Sequence, residues 1–166
     1  MSTGVVRDRD LSLKLWVVLA RAHRAMAARS RRDIERHELT ESEFAALEVT
    51  YSKGVLPVGE VADRVLLTSG SMTHVIDKLE SRGLLERRRC SEDQRITYVG
   101  ITSAGRDLMD SIFPDHVETI RRATSGLSAE EKRVCADLLK RLGLAAAAGV
   151  DAVESGPARP GSSKTL

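Results

Sequence analysis

Apolar residues recur at helical spacing near the start of the chain. From about Asp10 to His37 no proline or glycine interrupts this pattern, so it predicts one long helix. The recurring apolar positions are Leu11, Leu15, Val18, Ala22 and Met26. Arginines occupy the other faces, and the apolar stripe therefore needs a partner to cover it.

Two shorter helices are predicted next. The second opens at the capping-box sequence Thr-Glu-Ser-Glu of residues 40–43, with Thr40 as its N-cap, and ends near Lys53-Gly54. Pro57 then introduces a short third helix over about Val58–Arg64.

A fourth helix and a hairpin follow. The helix begins with Thr68 or Ser69 as its N-cap and stops at Gly83, a residue that favours helix ends. Residues 84–89 and 96–101 are two short strand candidates on either side of a polar turn. This order, a helix followed at once by a basic hairpin, is typical of a recognition helix with a wing.

The last part of the chain predicts two more helices and a tail. A fifth helix follows Thr102, with a bend expected at Pro114. A sixth starts at a second capping box, Ser-Ala-Glu-Glu of residues 128–131, and runs to about Leu142. From residue 144 onward alanine, glycine, serine and proline dominate without a periodic apolar face. We therefore expect a disordered tail over 144–166.

The predicted fold is mainly α with a small β-hairpin wing. A winged helix-turn-helix lobe over 40–102 is flanked by N- and C-terminal dimerisation helices over 10–37 and 103–143, within a single domain over 8–143. The flanking helices are not needed to build the lobe. Dimerisation is the simplest way to bury their apolar faces.

Composition narrows the function classes. The net charge of +2 is only mildly basic, so local clustering of charge would have to support nucleic-acid binding. The two cysteines, Cys90 and Cys135, form no disulfide framework or metal-ligand pattern, and we expect a reducing cytoplasm and no cofactor. Charged residues precede and interrupt the first apolar stretch, which argues against a secretory signal or a membrane span.

The fourth helix has one apolar and one polar face. Met72, Val75, Ile76 and Leu79 cluster on one side of a helical wheel. Opposite them lie Gly70, Thr73, His74, Asp77, Lys78 and Ser81, with Ser69 and Ser71 on the flanks. Small hydroxyl residues and backbone N–H groups at the first turn suit phosphate binding, and His74 and Lys78 can donate to base edges. The alternative is an ordinary solvated amphipathic helix.

Arginines mark the hairpin as a second DNA contact. Arg95 lies just past the turn, and a guanidinium on a protruding loop can enter the minor groove. Asp93 is expected to orient an arginine through a carboxylate–guanidinium pair. The predicted DNA-binding residues are Ser69, Gly70, Ser71, Thr73, His74, Lys78, Arg87, Arg88, Arg89, Asp93 and Arg95. The alternative for the arginine run is a solubilising exposed strand. We expect Asp77 to pair with a nearby arginine or to read a cytosine amino group.

Four motifs in this order resemble the MarR family of bacterial transcription regulators. They are Ser-Gly-Ser-Met-Thr at 69–73, Leu-Glu-Ser-Arg-Gly-Leu at 79–84, Asp-Gln-Arg at 93–95 and Ile-Thr-Ser-Ala-Gly at 101–105. The resemblance covers about Asp10–Gly143. It implies an obligate, roughly triangular homodimer that binds a pseudo-palindromic operator in double-stranded DNA, usually as a repressor. It also places the wing arginine on Arg95 and its supporting aspartate on Asp93, while Gln94 stands where the family often has a basic residue.

The resemblance further implies a small-molecule effector, bound between the dimerisation helices and the DNA-binding lobe. Candidate ligand residues are Trp16, His23, His37 and Phe44. The position of Trp16 is similar to that in regulators responding to urate-like or other anionic aromatic ligands. The alternative is that Trp16 fills the core or a dimer interface and that both histidines are surface or packing residues.

Other functions remain as alternatives. Cys90 follows three arginines whose charge favours the thiolate, so a redox-responsive repressor is one alternative. We prefer the interpretation that the thiol of Cys90 has no redox role. A winged-helix protein-interaction module without DNA binding is another. An enzyme is not expected, because no metal cluster, nucleotide loop or triad-like set is visible.

Overall fold

The computed structural model describes residues 3–91, 93 and 95–154. These residues form two compact units, which divide between Ala123 and Thr124. The elements of the first unit are α1 (Thr3–Glu35), α2 (Glu41–Lys53), β1 (Leu56–Pro57), α3 (Val58–Val65), α4 (Ser69–Ser81), β2 (Leu85–Arg89), β3 (Thr97–Ile101) and α5 (Ser103–Ala123). The second unit contains α6 (Ala129–Glu154). The mainly α fold with a small wing is confirmed.

Local capping sets where the helices begin. The Thr40 hydroxyl accepts from the Glu43 backbone N–H at 3.2 Å, and the Glu43 carboxylate accepts from the Thr40 N–H at 2.8 Å, which completes the predicted capping box of α2. Thr68 is the N-cap of α4, accepting from the Ser71 N–H at 3.3 Å. The choice between Thr68 and Ser69 is thereby settled.

The wing belongs to a sheet of three strands in the order β1-β3-β2, all antiparallel. The sequence predicted only the hairpin of β2 and β3. The additional strand β1 is two residues long and pairs Leu56 with Val99 and Pro57 with Tyr98. Proline has no N–H to donate, so it is tolerated at the edge of a sheet, and so short a strand leaves no alternating pattern to detect.

The core of the first unit is built from aliphatic side chains and lies beneath α4. Met72, Ile76 and Leu79 of α4 are fully buried against α2, α3 and the sheet. Each fully buried side chain of this size contributes roughly 1.5–3 kcal/mol. This burial fixes which face of α4 points outward.

The segment after the wing makes a tight junction. The Thr102 hydroxyl donates to the Gly83 carbonyl at 2.7 Å and accepts from the Gly105 N–H at 3.0 Å. A Cβ added at Gly105 would lie 2.2 Å from the Leu84 carbonyl oxygen. Only glycine allows the first turn of α5 to approach the hairpin this closely, which explains the glycine at position 105.

Two helix boundaries differ from the prediction. α1 begins at Thr3 rather than near Asp10, and α6 continues to Glu154, so the end expected at Leu142 is wrong and disorder does not begin at residue 144. The four alanines at 145–148 explain the second error, because alanine has the highest intrinsic helix propensity even without an apolar periodicity. Residues 155–166 of the expected tail lie outside the described residues.

Candidate DNA-binding interface

The helix α4 presents a polar face to solvent. Its apolar residues Met72, Ile76 and Leu79 are buried as predicted. The exposed residues of α4 are Gly70, Ser71, Thr73, His74, Asp77, Lys78, Glu80 and Ser81. The side chain of Ser69 lies outside the described residues. The predicted division of the helix into two faces is confirmed.

Several polar side chains of α4 have protein partners, among them Ser71 and Lys78. Ser71 is bound by the cap, since the Thr68 hydroxyl donates to the Ser71 hydroxyl at 3.0 Å. The Lys78 ammonium lies 3.9 Å from the Glu43 carboxylate of α2. Lys78 nevertheless keeps about half of its side chain exposed. Its charge therefore remains available at the surface.

Arg87 of β2 is held against α4. One guanidinium nitrogen, Nη1, lies 2.6 Å from both the Asp77 Oδ1 and the Glu80 Oε2, and Nη2 donates to the Thr73 carbonyl at 3.1 Å. The side chain is only 23% exposed. Asp77 thus pairs with an arginine, one of its two predicted roles. The guanidinium group of Arg87 is engaged by the recognition helix, and the predicted contact of Arg87 with DNA stays a prediction.

The other two arginines of β2 are more open. Arg88 pairs with Glu86 of the same strand and is largely exposed. Arg89 is exposed at the end of β2 and has no acidic partner in the part of the chain that the structure describes. The three successive arginines therefore have different environments, and Arg89 is the one whose charge is uncompensated.

The wing arginine is oriented by its own loop. The Asp93 carboxylate accepts from the Arg95 backbone N–H at 2.9 Å, from Nε at 3.1 Å and from Nη2 at 3.3 Å. These bonds to Arg95 lower the pKa of Asp93 below its ordinary value. The predicted pairing of Asp93 with an arginine is confirmed. The Arg95 side chain is 91% exposed, and its contact with DNA stays a prediction. Gln94 lies outside the described residues.

A cleft of about 510 Å³ separates α4 from the wing. Its lining includes Thr73 and Asp77 of α4, and Arg87, Arg95 and Thr97 of the hairpin. The cleft is open to solvent and combines hydroxyl groups with guanidinium groups. Such a concave, hydrogen-bonding surface suits a sugar-phosphate backbone, which proteins bind through these donors.

The sequence did not indicate two polar contacts that position α4. Glu80 joins Asp77 in binding Arg87, and Arg82, just after α4, donates to the Glu38 carbonyl at 3.0 Å. The sequence spacing of Asp77 and Glu80 could have indicated the first of these contacts. Asp77 and Glu80 are three residues apart on a helix, so both carboxylates lie on one face.

The predicted ligand residues do not converge in one pocket. Phe44 is buried and its ring lies 4.4 Å from that of His116, whereas Trp16 is exposed on α1. His23 and His37 line two separate cavities, of about 270 and 290 Å³. The physical reason is helix length, since Trp16 lies about 29 Å at helical rise from the end of α1 at Glu35, and His37 lies beyond that end.

Cys90 directly follows β2 and is half-buried. Its backbone N–H donates to the Ile96 carbonyl at 3.0 Å, which closes the hairpin, and it is not in a disulfide. The redox role of Cys90 stays a prediction. Within the described residues no cluster of histidine, cysteine and carboxylate side chains could hold a metal ion.

Comparison with known proteins identifies the family. The model of the MarR family matches residues 39–97. The HTH-type transcriptional regulator MhqR of Bacillus subtilis is 45% identical over 135 residues, which cover 81% of this chain and 93% of that one. This chain belongs to the MarR family. It is therefore a helix-turn-helix transcriptional regulator.

Two solved structures share the fold. Sco3205 of Streptomyces coelicolor, a MarR family regulator solved in complex with DNA, has a TM-score of 0.74 at 19% identity over 79% of this chain and 88% of that one. BpsR of Bordetella bronchiseptica, whose DNA binding is regulated by 6-hydroxynicotinic acid, has a TM-score of 0.71 at 23% identity over 78% of this chain and 98% of that one. Among the described residues of the present chain, no helix is long and apolar enough to cross a membrane.

Proposed function

We propose that this chain is a cytoplasmic, homodimeric repressor that binds a pseudo-palindromic operator in double-stranded DNA and is released by a small-molecule effector. The observation that carries the proposal is the pairing of two exposed elements in one lobe. The polar face of α4 and the guanidinium of Arg95 border the same cleft. Few other functions require a polar helix face and an oriented arginine side by side.

Each lobe would use its two elements on different grooves. The helix α4 is suited to the major groove, where His74 and Lys78 can donate to base-edge acceptors. Arg95 is suited to the minor groove, where the negative potential is concentrated. Affinity would come mainly from phosphate neutralisation and specificity from the two recognition helices of a dimer, with half-sites about one helical turn apart.

Exposed apolar side chains support the homodimer. Among its described side chains, α1 carries five large apolar residues with half or more of their surface exposed in the single chain: Leu11, Leu13, Leu15, Trp16 and Val18. Large apolar residues of α6 are exposed as well, among them Val134, Leu138 and Leu142. Apolar stripes of this extent mark interaction surfaces, and a second copy of the same chain is the simplest cover.

Relief of repression by an effector is supported by likeness to BpsR, whose DNA binding is regulated by 6-hydroxynicotinic acid. An anionic aromatic ligand of that kind agrees with the class expected from the position of Trp16. The ligand would act by binding more tightly to a dimer whose lobes do not fit adjacent grooves.

The test is fluorescence anisotropy with the duplex just upstream of the protein's own gene and with a scrambled duplex, across a salt series. We expect a preference of about a thousandfold or more for the upstream duplex, with affinity falling steeply as salt rises. Absence of binding to either duplex at low salt would contradict the proposal and favour a winged-helix protein-interaction module.

A further inference from the structure

The Tyr51 side chain of α2 makes three contacts with α5. Its hydroxyl donates to the Asp110 carboxylate at 2.5 Å. Its ring lies 5.8 Å from that of Phe113, and the guanidinium carbon of Arg106 lies 5.5 Å from its centroid. The three partners follow one another at intervals of four and three residues, so they share one face of α5. We call this set of contacts the Tyr51 clamp.

The ring contacts fix the direction in which the Tyr51 hydroxyl points. Tyr51 is half-buried and packs against the aliphatic core of the first unit. The hydrogen bond to Asp110 raises the pKa of the Tyr51 hydroxyl above its ordinary value, so the hydroxyl keeps its proton and acts as the donor. A hydrogen bond to a charged acceptor is stronger than one between neutral groups.

A second point of attachment joins α2 to α5. The ring of Phe44, two helical turns before Tyr51, lies 4.4 Å from the ring of His116. The Nδ1 of His116 in turn lies 2.9 Å from the Asp33 carboxylate of α1. The two points are about 10 Å apart at helical rise. Apolar packing is non-directional, so these two sets of specific contacts restrict the rotation of α2 against α5.

The position of α2 on α5 decides where the recognition helix lies. α2 packs against both α3 and α4, so these helices move together with it. α5 begins at Ser103, directly after the wing strand β3, and its first turn is fixed against the hairpin at Gly105. The Tyr51 clamp therefore holds the helices of the lobe against a helix that continues away from it.

We propose that Tyr51 is a positioning residue, which sets the spacing of operator half-sites that two recognition helices can reach. The dimer concerned is that of the proposed function, on which the inference rests. With α5 held by the second copy, a displacement of about 1 Å at Tyr51 turns α2 by about 5°, because the distance to the other attachment point is about 10 Å. The helix α4 turns with α2. Lobes held at one angle match one half-site spacing, whereas lobes that rotate match several.

Four variants separate this role from a general contribution to stability. Tyr51→Phe removes the hydroxyl and keeps the ring contacts. Asp110→Ala removes the acceptor, whereas Asp110→Asn keeps an acceptor oxygen. Ser52→Ala is the matched control on α2, since the Ser52 hydroxyl donates within that helix, to the Glu48 carbonyl at 2.8 Å. Thermal unfolding establishes that each variant is folded at the temperature of the assay.

The first measurement is affinity for DNA as a function of half-site spacing. The probes are the duplex just upstream of the protein's own gene, and versions with one base pair inserted or deleted at the centre of the segment that the protein protects from nuclease. We expect wild type and Ser52→Ala to prefer the native spacing by about tenfold or more. Tyr51→Phe and Asp110→Ala should lower this preference by at least about threefold, as loss of a hydrogen bond to a charged group implies.

The remaining variants test whether the two residues act through one bond. The double variant Tyr51→Phe/Asp110→Ala should lose no more of the spacing preference than either single variant, because each removes the same bond. Asp110→Asn should keep most of the preference. A contact that only stabilises the fold would leave the preference unchanged in every variant. That result for Tyr51→Phe would overturn the proposal.

A distance measurement without DNA tests the position of the lobe directly. A nitroxide label on Asp63→Cys, an exposed site of α3, in a background of Cys90→Ser and Cys135→Ser, places one spin in each copy. Double electron–electron resonance should give a broader distance distribution for Tyr51→Phe than for wild type or Ser52→Ala. Equal widths in a dimer would overturn the inference and leave the proposed function intact.

Failure of the proposed function has different signatures. Absence of a dipolar signal from the labelled wild type would show that no dimer forms, which contradicts the proposed function and overturns the inference with it. A dimer that binds none of the duplexes contradicts the proposed function and overturns the effect on half-site spacing. The distance distribution then still decides whether Tyr51 holds the lobe.

Discussion

Arg87 of β2 and Asp77 of α4 form an ion pair with a distance of 2.6 Å between Nη1 and Oδ1. The same nitrogen lies 2.6 Å from Glu80, one helical turn further along α4. This pair joins the first strand of the wing to the recognition helix. The orientation of the wing relative to α4, and so the spacing between the two DNA-contacting elements, depends on this link.

Replacing Arg87 by glutamine should act through structure rather than through a phosphate contact. The substitution leaves two carboxylates without their partner, so we expect the free energy of unfolding to fall by about 1–3 kcal/mol in urea denaturation. Operator affinity should fall as well. The slope of log K against log salt should stay at its wild-type value, because no phosphate contact is lost.

Arg89→Gln is the matched control for that experiment. Arg89 is exposed and has no acidic partner among the described residues, so its loss should leave stability within about 0.5 kcal/mol of wild type. The salt slope should become shallower by about 1. The opposite pattern, with the slope changed by Arg87→Gln and not by Arg89→Gln, would show that Arg87 leaves α4 to contact DNA.

The wing arginine should carry a large share of operator binding. Arg95→Ala is expected to weaken binding by about 1–3 kcal/mol, since the exposed guanidinium is oriented toward solvent by its own loop. Asp93→Asn keeps the arginine but weakens its orientation, and should cause a smaller loss. Anisotropy at a single salt concentration measures both. An unchanged affinity of Arg95→Ala for operator DNA would show that the wing arginine makes no important contact with DNA.

The turn between α3 and α4 stores backbone strain. Leu66 adopts φ of 59° in the left-handed region, and the residue is 91% exposed. A Cβ in this conformation costs roughly 1–2 kcal/mol. We expect Leu66→Gly to raise the free energy of unfolding by about 0.5–1 kcal/mol, because glycine loses more chain entropy but removes the strain. Leu66→Ala removes the same exposed side chain and keeps the Cβ, so it should show no such gain.

The junction between the wing and α5 should not tolerate a side chain. Gly105→Ala places a Cβ 2.2 Å from the Leu84 carbonyl oxygen, and neither backbone can shift without disturbing the hairpin. A loss of at least about 2 kcal/mol is expected in urea denaturation. Gly59→Ala in α3 is the control, because a Cβ there meets nothing within 4 Å. It should gain about 0.5–1 kcal/mol from helix propensity; a similar loss in both variants would contradict the close approach at Gly105.

Glu118 should make stability depend on pH in the acid range. Hydrogen bonds from Arg121 and Arg122 lower the pKa of Glu118 from 4.5 to about 2 in the folded protein. The contribution to stability is therefore fully present above pH 4.5 and is lost as the pH falls toward 2. Solvent screening keeps it small. The difference in unfolding free energy between wild type and Glu118→Gln should shrink as the pH falls from 4.5 toward 2. A constant difference over this pH range would contradict the lowered pKa of Glu118.

Local features of the fold followed from the sequence. Both ends of a capping box lie within one helical turn, as in Thr40 with Glu43, so residue identity and spacing alone predict the contact. The same holds for Asp93 and Arg95, two residues apart in one turn, and for the buried and exposed faces of α4. The end of α6 also depends on local sequence. The high helix propensity of alanine extends this helix although the apolar periodicity is missing.

Long-range contacts required the tertiary structure. The partner of Arg87 could not be chosen from the sequence, because three arginines in a row carry the same charge and only the packing of β2 beside α4 brings one of them to Asp77. The pairing of β1 with β3 and the hydrogen bond between Tyr51 and Asp110 likewise join residues more than 40 positions apart. Sequence spacing determines geometry only within a turn or a helix; beyond that, the burial of the apolar core decides which polar groups meet.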